Sequence, residues 1–508
     1  MISKFAGKFS LRSGLRKAFS AFTCRECSTR TAQMPAGQPT HYSHPQLLKN
    51  GEILPGMRRG EFRRRRSMLV NTISQQSNGR NGAAMVLIPS APDQFLSEKI
   101  PRPYRQSSDL LYLSGCQEPG SALVIRAVHP EVHRAVLFVR GADDKKELWD
   151  GPRFYATEAT ADFFGVDLVL PADKLGDYLH AALGDNEKRM TNVWFDKSFG
   201  QAHDGSPRST MDTVIANNIS SIKLDSTRPV LHQLRVIKSL AEIELMRKTC
   251  QIGAAAVAET IAQENYLKHK DVVEESSIAA RVEFECRRHG AQHLGYPPVV
   301  ATGTRTNTIH YVANNNIGAS GDLALMDAGC EYYGYNSDIT RTWPLSGSFS
   351  GPQLVVYEAV LDVQQKLIKL LDTSRPTLSQ LFAEMCLLLG TNLKEIGLLP
   401  KSVSGSELLS GAHSFCPHHV SHFLGMDIHD TPSISHSLPL QSGMVITIEP
   451  GVYIRSDRKD VPAEFRGIGI RIEDDVLITN SGCEVLSAGC PKDVAALEKL
   501  MQRSSISS

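Results

Sequence analysis

Apolar residues fall into two rhythms along this chain. Up to about residue 230, short apolar runs such as Ala83–Ile88, Ala122–Ile125 and Ala135–Val139 alternate with stretches of helical spacing, which predicts an α/β unit. Pro229 then precedes a strong helix start. Ser239 and Glu242 have the spacing of a capping box, and Ile243, Met246, Cys250, Ala254, Val257 and Ile261 repeat on one helical face. Beyond it, short strands and long helices mix without regular alternation, so the fold class expected is α+β. Three late segments stand out because an apolar strand ends on an acid. They are Asp322–Gly329 (DLALMDAG) with Asp327, Gly443–Gly451 (GMVITIEPG) with Glu449, and Gly469–Asp474 (GIRIED) with Glu473. In the last, Arg471 and Glu473 share one face of a single expected strand, opposite Ile470 and Ile472.

Composition narrows the function classes. The 508 residues carry 55 Lys and Arg against 54 Asp and Glu, so no global field points to nucleic acid or another polyanion. No run approaches the roughly 18 apolar residues of a membrane span. Charge is uneven only at the start, where Lys4, Lys8, Arg12, Arg16, Lys17, Arg25, Arg30 and Lys49 face the single acid Glu26 amid many Ser and Thr. That pattern predicts a mitochondrial transit peptide and a matrix location, with the cytosol as the second compartment. The ten cysteines form no dense framework, which suits a reducing compartment, and the Cys24–Cys27 pair lacks the second pair a zinc site needs. The expected organisation is a leader and linker over 1–55, an α/β domain over 56–230, a larger domain over 231–495, and a flexible tail over 496–508.

The acids carry the chemistry. Asp327 closes an apolar strand, and a Gly- and Tyr-rich turn brings Asp338 onto the neighbouring strand of a hairpin. A lone acid at a strand end commonly faces water, but four such placements need a cation, because burial disfavours the charged carboxylate. Between the acid pairs lies Pro417–Asp430 (PHHVSHFLGMDIHD), with His418, His419, His422 and His429. Its spacing is not that of a zincin, since His419 stands where the general-base glutamate would be. Four carboxylates and one neutral imidazole match the charge of two divalent ions, and a pair about 3.5–4 Å apart activates a shared water for hydrolysis.

With Asp327, Asp338 eleven residues on, His422, Glu449 and Glu473 in that order, the sequence resembles the pita-bread metallopeptidases, and within them the Xaa-Pro aminopeptidases (aminopeptidase P). Upstream, Tyr104–Pro119 (YRQSSDLLYLSGCQEP) and Glu147–Arg153 (ELWDGPR) resemble that family's amino-terminal domain, and the basic leader resembles a mitochondrial form. The resemblance implies two divalent metal ions, of which Mn²⁺ is the usual choice. Asp327 would bind one ion, Asp338 and Glu473 both, and His422 and Glu449 the second. It further implies Glu449 as proton shuttle, His429 as oxyanion donor, His418 and His310 as substrate histidines, and Tyr296 and Arg471 as links to Asp327. Peptide and protein N-termini are the implied substrates, and a homodimer the implied assembly. The rival readings are a prolidase restricted to Xaa-Pro dipeptides, a methionine aminopeptidase, trimming of imported mitochondrial proteins without a strict proline requirement, and a metal-free binding protein on the same scaffold.

Overall fold

The computed structural model describes residues 37–76, 84–129, 132–141, 143–184, 191–197, 205–263 and 272–502. Most of the basic leader lies outside the described residues. From Gly37 onward the stretch read as linker is packed. Gln38, Thr40, Leu48, Ile53 and Leu54 are buried, Gly37 N–H donates to Glu118 Oε1 (2.9 Å), and Gln38 Nε2 donates to Gly115 O (3.1 Å). The absence of an apolar period hid this, because the segment docks through turns and side-chain hydrogen bonds rather than through one face of a regular element.

Helix α1 (Arg59–Gln76) follows and buries Phe62, Arg65, Arg66, Leu69, Val70 and Ile73, a stripe at three- and four-residue spacing. It covers a six-stranded sheet of β1 (Ala84–Pro89), β2 (Ala122–His129), β3 (Val132–Val139), β4 (Leu168–Pro171), β5 (Thr191–Trp194) and β6 (Ile222–Asp225), in the order β6-β5-β1-β2-β3-β4. Pairing is parallel except at β1-β2 and β2-β3. Alternation along a strand assigns each side chain to a face. Val86 and Ile88 join the main core while Met85 and Leu87 join a second core on the opposite side, so both faces are buried.

Helix α2 (Leu240–Gln263) starts with the capping box: Ser239 N–H donates to Glu242 Oε2 (2.9 Å) and Glu242 N–H to Ser239 Oγ (3.3 Å). Met246, Cys250, Ala254, Val257 and Ile261 are buried along its face. After α3 (Glu275–Arg288) come β7 (Val299–Thr302), β8 (Leu323–Ala328) and β9 (Ile339–Pro344), an antiparallel sheet in the order β7-β8-β9 with Asp327 opposite Thr340. Gly329 is obligatory there, because a Cβ would sit 1.7 Å from Ser337 O across the hairpin. Gly253 of α2 is likewise needed, since its Cβ would meet Ser337 Oγ at 2.4 Å, so the helix lies directly behind the hairpin. Helices α4 (Gly351–Thr373), α5 (Leu378–Glu395) and α6 (Gly405–Phe415) lead to a second group of strands, β10 (Val445–Ile448), β11 (Gly451–Tyr453), β12 (Gly469–Arg471) and β13 (Asp474–Ile478).

The segment expected as one strand, Gly469–Asp474, is two. β12 pairs with β11 and β13 with β10, and the chain changes partner at Ile472–Glu473. Glu473 therefore sits at a crossing, where its N–H donates to Thr340 O of β9 (3.1 Å) and ties the two sheet groups together. Within the stretch read as a flexible tail, the described residues up to Gln502 are helical: α7 (Val494–Gln502) buries Leu497 and Leu500, three apart on one face. The architecture is mixed helix and strand, a smaller α/β domain followed by the larger domain that carries the acids, as the resemblance implies. Among the described residues no helix is long and apolar enough to cross a membrane.

Candidate metal centre

The five expected ligands converge from five places in the larger domain. Asp327 ends β8, Asp338 precedes β9, Glu449 follows β10 and Glu473 lies at the β12–β13 crossing. His422 stands on a segment running beside β10, fixed by Thr447 N–H to His422 O (3.0 Å) and Glu449 N–H to Val420 O (2.9 Å). Ligand atoms of Asp338, His422 and Glu473 all lie within 4.8 Å of one another. His422 Nε2 is 3.4 Å from Asp338 Oδ2 and 3.5 Å from Glu449 Oε1. Its Nδ1–H faces Phe423 O at 3.2 Å, which sets the tautomer that leaves Nε2 free toward the acids.

Each acid is oriented by a neighbour. Arg471 Nη2 donates to Asp327 Oδ2 (2.7 Å), and Thr340 Oγ1 donates to Glu473 Oε2 (2.6 Å). The Tyr296 hydroxyl lies between Asp327 Oδ1 and Asp338 Oδ1, 2.6 Å from the latter. That hydroxyl is shared between the two acids. Arg471, 2 % exposed, also donates through Nε to Thr340 Oγ1 (3.1 Å) and through Nη1 to Tyr453 OH (2.8 Å).

Of the histidine cluster, only His422 presents one nitrogen to two of the acids, while His418 comes near a single one. His418 Nδ1–H donates to His419 O (2.8 Å), its Nε2 accepts from Tyr453 OH (2.9 Å), and Nδ1 stays 3.7 Å from Glu449 Oε2. Burial, then the nearby charge of Arg471, pushes His418 down to about 4, so it is neutral at physiological pH. His429 is exposed, with its ring 4.6 Å from that of His422, and partial desolvation followed by the charge of His422 lowers its pKa. His310, on the exposed loop after β7, lies near enough to His418 and His429 to lower both. His419 is turned away and stacks on Phe382 (4.8 Å).

The description "Metallopeptidase family M24" matches residues 244–480, and "Aminopeptidase P, N-terminal domain" matches residues 62–191. Xaa-Pro aminopeptidase 3 of Homo sapiens is 41 % identical over 477 residues, spanning 92 % of this chain and 91 % of its own. Intermediate cleaving peptidase 55, mitochondrial, of Arabidopsis thaliana is 37 % identical and covers 96 % of this chain and 90 % of its own. The solved proline aminopeptidase P II of Yersinia pestis superposes with a TM-score of 0.78 at 31 % identity, covering 88 % of this chain and 100 % of its own. The chain belongs to metallopeptidase family M24. It is a metal-dependent hydrolytic aminopeptidase of the aminopeptidase P type.

The donor set of this M24 peptidase fits divalent cations. Four carboxylates are gathered against one guanidinium, in a site where Asp338 is 5 % and Glu473 2 % exposed. Protons alone are poor compensation. Burial, opposed by His422 and reinforced by Asp338, drives Glu449 up to about 7, and burial with the charges of Asp338 and Glu449 drives Glu473 far up. Burial would lower His422, but Asp338 and Glu449 overcome it and raise the ring to about 9. Oxygen ligands outnumber the single nitrogen, which suits a hard ion of the Mg, Ca or Mn class.

Sequence reading named Tyr296 and Arg471 but missed other residues that hold the ligands. Asp475 is fully buried and accepts the Asp338 N–H (3.1 Å), fixing the backbone of that acid. Arg341, fully buried, donates to Thr340 O (2.9 Å), Glu473 O (2.6 Å), Pro491 O (2.9 Å), Cys490 O (2.7 Å) and Asp474 Oδ1 (2.8 Å). A hint was available in the run Ile339–Thr342, where a charged residue interrupts a β-branched strand.

Proposed function

We propose that the acids bind two divalent ions, Mn²⁺ in function, and that the enzyme releases the N-terminal residue from peptides with proline in second position. The observation that carries this reading is the convergence of Asp338, His422 and Glu473, with Glu449 and Asp327 beside them, in a buried to half-buried site. Asp327, Asp338, His422, Glu449 and Glu473 would hold the ions, with Asp338 and Glu473 placed to be shared between them. When bound, such a pair polarises a carbonyl and lowers the pKa of water held between its members. Glu449 takes the proton of the attacking water and returns it to the leaving nitrogen. His429 donates to the carbonyl oxygen as negative charge develops there. His310 and His418 line the approach of the peptide, and Arg471 and Tyr296 keep Asp327 ionised and aimed. Support for the proline preference comes from the relatives named for it.

The relative named intermediate cleaving peptidase favours a second reading, trimming of single residues from imported proteins without a strict proline requirement. We further propose a mitochondrial location, a homodimer, and a division of the chain near residue 230, where the last strand of the smaller domain gives way to α2. The ligand assignment is tested with Asp338→Asn. An amide lacks the charge of a bridging carboxylate, so metal content by mass spectrometry and peptidase activity should both collapse while circular dichroism stays native. Near-normal turnover with two bound ions overturns the assignment.

A further inference from the structure

The motif Tyr104–Gly115 (YRQSSDLLYLSG) belongs to the smaller domain and has no part in the chemistry above. In the structure it grips the loop that carries His429. Arg105 Nη2 donates to Met426 O (2.6 Å) and reaches Asp427 Oδ1 (3.4 Å), while its Nε pairs with Glu331 just beyond β8. Ser108 Oγ donates to the same Asp427 Oδ1 (2.7 Å). Asp109 Oδ1 accepts from Arg235 Nη1 (2.9 Å), and Arg235 Nη2 continues to Asp427 Oδ2 (2.6 Å) and Asp430 Oδ1 (2.5 Å). Lys238 Nζ pairs with Asp430 Oδ2 (3.2 Å), and Asn336 of the ligand hairpin donates to Met426 O (2.7 Å) through Nδ2 and to Gly425 O (2.9 Å) through its backbone N–H.

The two acids so held, Asp427 and Asp430, bracket His429. That residue has no comparable anchor of its own. Among the described residues its ring makes no hydrogen bond and packs against the His422 ring, so its aim is set by the loop backbone. The loop is tightly closed: a Cβ on Gly425 would lie 2.4 Å from Asp430 Oδ2, and Thr431 holds a positive φ of 50°. Arg235, Lys238 and Asp430 are almost fully buried, and a buried guanidinium between carboxylates resists displacement because breaking any pair strands a charge.

We infer that the Arg105–Ser108–Asp109 motif is a clamp by which the smaller domain positions His429 for the reaction. These are positioning residues, and the inference rests on the oxyanion role given to His429. Misplacement of a reacting group by about 1 Å can cost up to a hundredfold in rate. Ser108→Ala removes one contact and Asp427→Asn removes the charge that Arg105, Ser108 and Arg235 share, and both leave Arg235 paired with Asp109 and Asp430, so the fold is retained.

The test uses full-length protein loaded with Mn²⁺. Deuterium exchange of the peptide spanning residues 424–431 should quicken in both variants without change in α2. Turnover should fall on the order of tenfold with KM and metal content little altered, and that fall should vanish in a His429→Ala background. A loss of the same size in that background, or unchanged turnover in both single variants, overturns the clamp. His429→Ala measured alone separates the two ideas. Full turnover there overturns the role of His429, whereas a large loss there with no effect of the other two substitutions overturns the clamp alone.

Discussion

Replacing Arg471 with Met isolates the cation the protein itself supplies to the metal centre. The guanidinium is 2 % exposed, pairs with Asp327 at 2.7 Å, and reaches Glu473 through Thr340 and His418 through Tyr453. Removing one member of a buried pair leaves an uncompensated charge, a cost of about 3–5 kcal/mol. That cost applies in full to protein stripped of metal, where Asp327, Asp338, Glu449 and Glu473 repel one another. With Mn²⁺ bound, cations replace part of the lost attraction and the penalty shrinks. At roughly 2–4 °C per kcal/mol for a large domain, Arg471→Met in chelator should melt roughly 6–20 °C below wild type, and the gap should narrow with Mn²⁺. Differential scanning fluorimetry of both proteins in both conditions reads this directly. Equal melting in chelator, or the same gap with and without Mn²⁺, would refute the claim that Arg471 balances the acid cluster.

Three further outcomes are expected. His429→Ala should lower turnover by roughly 10² to 10³ with metal content unchanged, whereas His422→Ala should lose metal; activity tracking metal loss in His429→Ala would return that residue to a ligand role. Deleting residues 1–36 should block mitochondrial import and leave peptidase activity intact, but deletion through residue 50 should lower thermal stability as well, because Gln38, Thr40 and Leu48 are buried; import of the shorter chain, or equal stability of the two, would contradict this. His232 is held neutral, since burial and then Arg235 push it to about 4 from 6.5, while its Nδ1 accepts from Ser433 N–H (3.2 Å). A lowered folded pKa means stability is full above 6.5 and is lost as pH falls toward 4, on the order of 2 kcal/mol by pH 5. His232→Asn should flatten the denaturation midpoint across that window, and an unchanged slope would discount it.

The acids were legible because an apolar strand that ends on a carboxylate is a local pattern, visible in DLALMDAG and GMVITIEPG without any knowledge of partners. The start of α2 was legible for the same reason: its capping box and apolar stripe are local. What holds the acids was not. Thr340, Asp475 and Arg341 act on ligands more than a hundred residues away, and apart from the charge that Arg341 places in a β-branched run nothing in their own neighbourhoods distinguishes them. The break between β12 and β13 escaped because alternation continues through Ile472 while the partner strand changes, and pairing is not written in period. The histidine cluster carried the opposite difficulty. Four candidates stood close in sequence, and only the path beside β10 selects His422 as the one facing the acids.

The central claim is tested most directly by mass spectrometry of peptide cleavage, comparing Xaa-Pro with Xaa-Ala sequences of three or more residues in Mn²⁺ and in chelator. The account predicts release of the single N-terminal residue from the Xaa-Pro peptide in Mn²⁺, little release from the Xaa-Ala peptide, and none from either in chelator or with Asp338→Asn. Cleavage at the same rate in chelator, or no release from these peptides with any divalent ion, would contradict it.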